Sequence, residues 1–224
     1  MAITHQHTWL ITGCSRGMGL ELAKQLLESP SNFIIGTARD PAKATALQAL
    51  KQTARGTLEV IQLDVDDTNG IERSVEEVTA ILGERGLDHL INNAAINQKI
   101  DTAFTMHIDG WAQVFKTNLA APALISQLYL SLVEKSEKKT IVNTWASYAI
   151  TKTALNMFTY KQKAERPDLM VICLCPGWVK TDLCGDDAPL TFTESVTAVA
   201  KVITSLKPED SGRLVNLRHE IVPW

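Results

Sequence analysis

The sequence predicts an α/β fold: a doubly wound parallel sheet of about seven strands with helices on both faces. Three observations predict it. Short apolar, β-branched runs alternate regularly with longer stretches whose apolar residues recur at helical spacing. Such alternation calls for a parallel sheet, and right-handed crossovers lay helices over both of its faces. A glycine-rich turn, Gly13 to Gly19, stands between the first strand-like run and the first helix-like one. The chain has 224 residues, 45% of them hydrophobic, with only 12 Gly and 8 Pro. A single domain of that size buries about 70% of its unfolded surface and needs no disulfide or metal staple.

The elements follow in order. Thr8-Trp9-Leu10-Ile11-Thr12 is the first strand, broken at Gly13. Met18, Leu22, Leu26 and Leu27 set a helix from Met18 to Ser29, which Pro30 stops. Phe33 to Ala38 is the second strand, and Pro41 suits the first turn of the next helix. Leu58 to Leu63 is the third strand; Ile71, Val75, Val78, Ile81 and Leu82 then stripe a helix. Leu87 to Ile91 is the fourth strand, ending at Asn92-Asn93. One long helix from about Asp109 to Val133 carries Trp111, Phe115, Leu119, Leu124 and Leu128 on its apolar positions. Thr140 to Asn143 is the fifth strand, Ser147 to Ala164 a helix, and Met170 to Cys175 a sixth strand closed by Pro176-Gly177. A helix from about Thr193 to Ser205 precedes a last strand, Arg213 to Leu217. No linker-like or low-complexity segment interrupts the pattern, so residues 1–224 read as one domain.

Composition excludes several function classes. A net charge of −3 and a pI near 6.0 argue against a dedicated nucleic-acid binder. Met1 to Gln6 holds no Lys or Arg, and the longest apolar run, Met170 to Cys175, is far short of the roughly 20 residues of a membrane span. Cys14, Cys173, Cys175 and Cys184 form no CxxC pair and no zinc-spaced cluster, so no metal is expected. These features suit a soluble protein of a reducing compartment, the cytoplasm.

Thr12-Gly13-Cys14-Ser15-Arg16-Gly17-Met18-Gly19 links the first strand to the first helix. Gly17 and Gly19 carry no Cβ, so backbone can approach a pyrophosphate, and the helix N-terminus offers free N–H donors to it. This is the context a dinucleotide-binding turn requires. The end of the second strand tells which dinucleotide. An acidic residue there would bind a ribose 2′-hydroxyl, but the place holds Ala38 followed by Arg39. With Arg16 in the turn, two guanidiniums suit a 2′-phosphate, so NADP(H) is expected ahead of NAD(H). Asp40 is the competing reading: it could serve as the ribose acid, or neutralise Arg39.

Together these residues resemble the short-chain dehydrogenase/reductase family. Thr12 to Gly19 fits its TGxxxGxG turn. Asp64-Val65 resembles the pair that contacts adenine, and Asn92-Asn93-Ala94-Ala95 resembles NNAG with Ala95 in place of Gly. Asn118 matches the helix asparagine of the catalytic set, and Tyr148 and Lys152 form YxxxK. Pro176-Gly177-Trp178-Val179-Lys180-Thr181-Asp182 matches PGxVxT, and the ending Val222-Pro223-Trp224 is similar to a carbonyl-reductase-like, C-factor-like subgroup. The resemblance implies a single Rossmann-type NADP(H)-binding domain. It implies hydride transfer between NADPH and a carbonyl or alcohol, with Tyr148 as proton donor, Lys152 lowering its pKa and Asn118 holding a relay water. Cofactor contacts are implied at Gly13, Ser15, Arg16, Gly17, Met18, Gly19, Arg39, Asp64, Val65, Asn93, Ala94, Ala95, Tyr148, Lys152, Pro176, Gly177, Val179 and Thr181. A homodimer or homotetramer through the two long helices is implied as well.

The chain departs from the pattern at one place. Family enzymes carry a serine beyond the fifth strand, about a dozen residues before the tyrosine. Here only Thr144-Trp145-Ala146-Ser147 separates Asn143 from Tyr148. The serine segment reads as deleted, with Thr144 or Ser147 as weak substitutes and Ser147 better suited to an N-cap. Three functions follow in order: an oxidoreductase impaired by that loss; a weak or inactive NADP(H)-binding homologue; and a fold reused for a non-redox step such as isomerisation or cyclisation. Met106, Trp145, Trp178 and Leu183 line a hydrophobic substrate cleft or belong to ordinary core. His107 is expected to be exposed or capping, and Glu134 to Lys139 to be a solvated helix end.

Overall fold

The computed structural model describes residues 7–97, 107–144, 149–180 and 188–223. Eight strands form one sheet: β1 (His7–Ile11), β2 (Asn32–Ala38), β3 (Thr57–Gln62), β4 (His89–Asn92), β5 (Thr140–Thr144), β6 (Met170–Leu174), β7 (Leu214–Val215) and β8 (Ile221–Val222). Their order is β3-β2-β1-β4-β5-β6-β7-β8. All neighbours are parallel except β8, which runs antiparallel to β7. The count exceeds the expected seven by this last strand. Two residues are too few to show a period, and β8 follows a turn in which His219 takes a φ of +62°.

The winding places the site. The chain runs outward from β1 to β3, then crosses back to lay β4 on the other side of β1. Loops leaving β1 and β4 therefore diverge, and a crevice opens at their carboxyl ends. Side chains alternate across the sheet. Trp9 and Ile11 join Leu22, Leu26, Ile34, Val196 and Val199 in one core, while Leu10 joins Ile35, Ile61, Val78, Tyr129 and Val133 in the other. Strands covered on both faces are buried nearly end to end, as β1, β2 and β6 are, and their centres are apolar.

The helices are α1 (Gly17–Leu26), α2 (Thr45–Thr53), α3 (Thr68–Leu82), α4 (Ile108–Phe115), α5 (Ala121–Leu128), α6 (Leu130–Glu134), α7 (Ala149–Glu165) and α8 (Phe192–Thr204). The long helix expected from Asp109 to Val133 is not regular. A π turn, Lys116–Ala120, separates α4 from α5, and Tyr129 marks a break before α6. Tyr129 is wholly buried, with its hydroxyl 2.7 Å from Ser74 Oγ. Pro41 is not in a first helical turn. It lies in a turn closed by Lys43 N to Asp40 O and Ala44 N to Pro41 O, and α2 starts only at Thr45.

At the amino ends of the strands, Asp88 accepts hydrogen bonds from Thr8 N, Thr8 Oγ1 and Ser136 Oγ. Ser136 is thus buried inside a stretch expected to be solvated. His89 stacks on Trp9 with ring centroids 3.8 Å apart. Burial pushes its imidazole pKa down to about 3.

Candidate active site

The glycine turn follows β1. Its backbone is tied down on both sides: Cys14 N donates to Thr37 O, and Thr12 Oγ1 accepts from both Asn93 N and Ala94 N. Asn93 Nδ2 donates to Thr12 O at 2.9 Å. Gly19 packs against this corner, where an added Cβ would overlap Gly13 O and lie 2.6 Å from Asn93 Nδ2. Gly17 serves differently. Its φ is +62°, and the nearest atom to an added Cβ is Phe192 Cε1 at 3.9 Å. The space beside it is open. Arg16, at the N-cap of α1, makes no side-chain cap hydrogen bond, and the first turn holds no acidic residue. The positive helix end therefore has no carboxylate of its own, which suits an anion. Cys14, buried in the turn with its thiol pushed up to about 12 by burial, is no nucleophile at neutral pH.

At the end of β2, Ala38 is buried and Arg39 exposed. The Arg39 guanidinium has no hydrogen-bond or ion-pair partner among the described residues. Asp40 is occupied locally: Oδ1 accepts from Ala42 N and Lys43 N, and Oδ2 lies 2.9 Å from Lys43 Nζ. The Lys43 ammonium beside it holds its carboxyl below the usual range. After β3, Asp64 Oδ1 accepts from Asp66 N, and the Asp66 carboxylate reaches across to Thr117 and Gln113.

The ends of β4 and β5 carry a buried polar network. Asn92 and Asn143 are register partners, and Asn92 Nδ2 donates to Asn143 Oδ1 at 2.9 Å. Asn143 Nδ2 in turn donates to Thr159 Oγ1 and Gln162 Oε1 on α7. Thr144 Oγ1 donates to Asn92 O at 3.0 Å, and Lys152 Nζ donates to Thr144 O at 2.9 Å. Lys152 is 2% exposed, and burial lowers its ammonium pKa to about 8, with Cys173 opposing. Asn118, buried in the π turn, holds the loop after β4 with two hydrogen bonds: Ile96 N donates to its Oδ1, and its Nδ2 donates to Ile96 O, each at 2.9 Å. π turns are rare and cluster at functional sites.

The loop after β6 leans on α8. Ser195 Oγ donates to Pro176 O, a Thr191–Glu194 capping box starts the helix, and Lys180 N donates to Leu190 O. Val179 is buried, whereas Trp178 is 54% exposed and points no apolar bulk into the core. His107 is exposed at the N-cap of α4, where it makes no cap hydrogen bond. Tyr148, Ser147, Trp145, Thr181, Leu183 and Met106 lie outside the described residues.

The structure thus brings together, at the carboxyl ends of the strands, the glycine turn, Asn93 to Ala95, Asn118, Thr144, Lys152 and Pro176 to Val179. Sequence reasoning missed Asp66, Gln113, Thr117 and the Asn92–Asn143 pair. A polar residue in the middle of an apolar helix stripe (Thr117) and an asparagine ending each of two adjacent strands were the available signals.

Fold and site together define an α/β enzyme of the dehydrogenase/reductase type. Residues 7–189 match the family model for short chain dehydrogenases, and the chain belongs to that family. An NADPH-bound carbonyl reductase from chicken fatty liver is 30% identical, with a TM-score of 0.91 over 99% of this chain and 100% of that one. The carbonyl reductase Sniffer of D. melanogaster is 26% identical, with a TM-score of 0.92 over 98% and 100%. A short-chain dehydrogenase/reductase of Arthrinium sp is 30% identical over 92% of this chain and 86% of that protein. An uncharacterized oxidoreductase of Schizosaccharomyces pombe is 27% identical over 255 aligned positions, covering 99% of each chain. Those 255 positions exceed this chain's 224 residues by 31, so at least that many residues of the relative face gaps here. Among the described residues, no helix is long and apolar enough to cross a membrane and no His/Cys/Asp/Glu group could hold a metal.

Proposed function

We propose that this protein is an NADP(H)-dependent oxidoreductase acting on a carbonyl or alcohol, slowed by the loss of the catalytic serine. The observation that carries the reading is Lys152. A buried ammonium with a pKa lowered to about 8 stands at the strand end, one helical turn after Tyr148 in sequence. Such a lysine can favour the phenolate of Tyr148, whose unperturbed pKa is about 10. Bound NADPH would supply the hydride; Tyr148 would give the proton to the developing alkoxide.

The residues present fit that cofactor. The open side of Gly17 and the uncapped start of α1 suit the diphosphate. Arg39, exposed and without a partner among the described residues, and Arg16 beside the turn suit a 2′-phosphate. Asp40, engaged by its own turn, is poorly placed to serve a 2′-hydroxyl. Asn93 to Ala95 and Pro176 to Thr181 would border the nicotinamide half, and Asp64 and Val65 the adenine.

Thr144 is a poor replacement for the serine, because its hydroxyl proton goes to Asn92 O. Loss of one polarising donor costs about 10²–10³ in rate. The gaps opposite longer relatives favour a second reading, a protein that binds NADP(H) without turnover. Self-association through α7 is part of the first reading; Met157 and Tyr160 are both more than half exposed on that helix.

NADPH fluorescence titration beside turnover of a reactive diketone or quinone tests both. Turnover abolished by Tyr148→Phe, with NADPH binding kept, supports the oxidoreductase. Binding without turnover selects the second reading, and absence of binding removes both.

A further inference from the structure

The two halves of the proposed cofactor site are joined by a chain of hydrogen bonds that passes through one carboxylate. At the adenine end, the Asp64 carboxylate is oriented by the backbone N–H of Asp66 at 3.0 Å. The Asp66 side chain points the other way. Its Oδ1 accepts from Thr117 Oγ1 and its Oδ2 from Gln113 Nε2, both at 2.7 Å. Thr117 is buried in the π turn beside Asn118. Asn118 in turn grips Ile96 N and Ile96 O, in the loop that leaves β4.

The physical need for such a tie is clear. The π turn interrupts the regular helical ladder between α4 and α5. Its geometry must be held from outside, and its two buried residues, Thr117 and Asn118, are each held by a side-chain hydrogen bond. Asp66 supplies the anionic acceptor, and hydrogen bonds to a charged group are the stronger kind.

We propose that Asp66 is a positioning residue: it fixes the π turn, and through Asn118 couples the adenine-side loop after β3 to the nicotinamide-side loop after β4. The coupling rests on the reading of this crevice as an NADP(H) site. Asp66 acts through Thr117 and Gln113 and needs no contact with cofactor or substrate.

The test is NMR-resolved amide exchange in the whole protein. Parent, Asp66→Ala and Asp66→Asn are compared, first without ligand and then with adenosine 2′,5′-bisphosphate, which carries only the adenine half. In Asp66→Ala, the Ile96 and Ala121 amides should exchange about ten-fold faster, while β1 and β2 amides keep the parent rate. Asp66→Asn keeps an oxygen for Thr117 and should stay within about three-fold of parent. The bisphosphate should slow Ile96 exchange in the parent and leave it unchanged in Asp66→Ala. Ile96 exchange unaffected by Asp66→Ala, acceleration spread equally over the sheet, or ligand protection that survives the substitution would each overturn the coupling. Binding of NADPH and the bisphosphate to the parent without any response at Ile96 removes the coupling alone. Failure of both to bind removes the cofactor reading, and the coupling with it.

Discussion

Replacing Gly19 with alanine asks whether the first turn is as tightly built as its geometry implies. The new Cβ would overlap Gly13 O and crowd Asn93 Nδ2 at 2.6 Å. Neither can retreat cheaply. Gly13 O is backbone, and Asn93 Nδ2 is held by Thr12 O. Overpacking of this kind costs about 1–3 kcal/mol, and loss of an Asn93 hydrogen bond adds about 1 kcal/mol. Chains of 150–250 residues lose about 2–4 °C of Tm per kcal/mol, so Gly19→Ala should melt about 5–15 °C below parent. The same displacement moves the backbone that would face the diphosphate, so NADPH affinity should fall at least about ten-fold. Gly17→Ala is the matched comparison. Its Cβ meets nothing closer than 3.9 Å, and the cost is the strain of an alanine at φ +62°, about 1 kcal/mol. Thermal unfolding followed by circular dichroism, with NADPH fluorescence titration on the same samples, reads both effects. A Gly19→Ala melting point within about 2 °C of parent, or one above that of Gly17→Ala, would refute the close-packing account.

Other predictions concern charge. Arg39→Asp should swing the NADPH/NADH preference at least about ten-fold toward NADH, measured as the ratio of dissociation constants; an unchanged ratio would remove Arg39 from the 2′-phosphate site. His89 has a folded pKa near 3, below the unfolded 6.5, so its contribution to stability is complete above pH 6.5 and is lost as pH falls toward 3. Between pH 6.5 and 5 the loss amounts to about 2 kcal/mol, and urea midpoints of His89→Phe should lack that slope. Lys152 is likewise lowered, from 10.5 to about 8, by burial. The unfolded chain binds the extra proton between those values, so parent stability should rise with pH from 8 to 10.5 relative to Lys152→Met; parallel curves would show that the ammonium is solvated.

Much of the fold is legible in the sequence. The strands show their burial as short apolar, β-branched runs, and the glycine turn announces the place where β1 meets α1. What escaped was of two kinds. The π turn inserts one residue into a helical hydrogen-bond ladder, and its local trace is the single five-residue step from Leu119 to Leu124 in an apolar stripe otherwise spaced by four, which a helix reading absorbs. The Asp66–Thr117 and Asn143–Thr159 ties join residues 51 and 16 positions apart, and no local pattern encodes such pairs. His89 illustrates the same limit: it stands inside the strand run Leu87 to Ile91, and nothing local shows that Trp9 lies over it.

The fastening of α7 to the sheet has an evolutionary meaning. Thr159 and Gln162 hang from Asn143, and Lys152 from Thr144, so the helix is berthed along its own length to the end of β5. With the helix moored in this way, the loops around the crevice can change what reacts there while the berth stays where it was. The same frame can then outlive a particular chemistry.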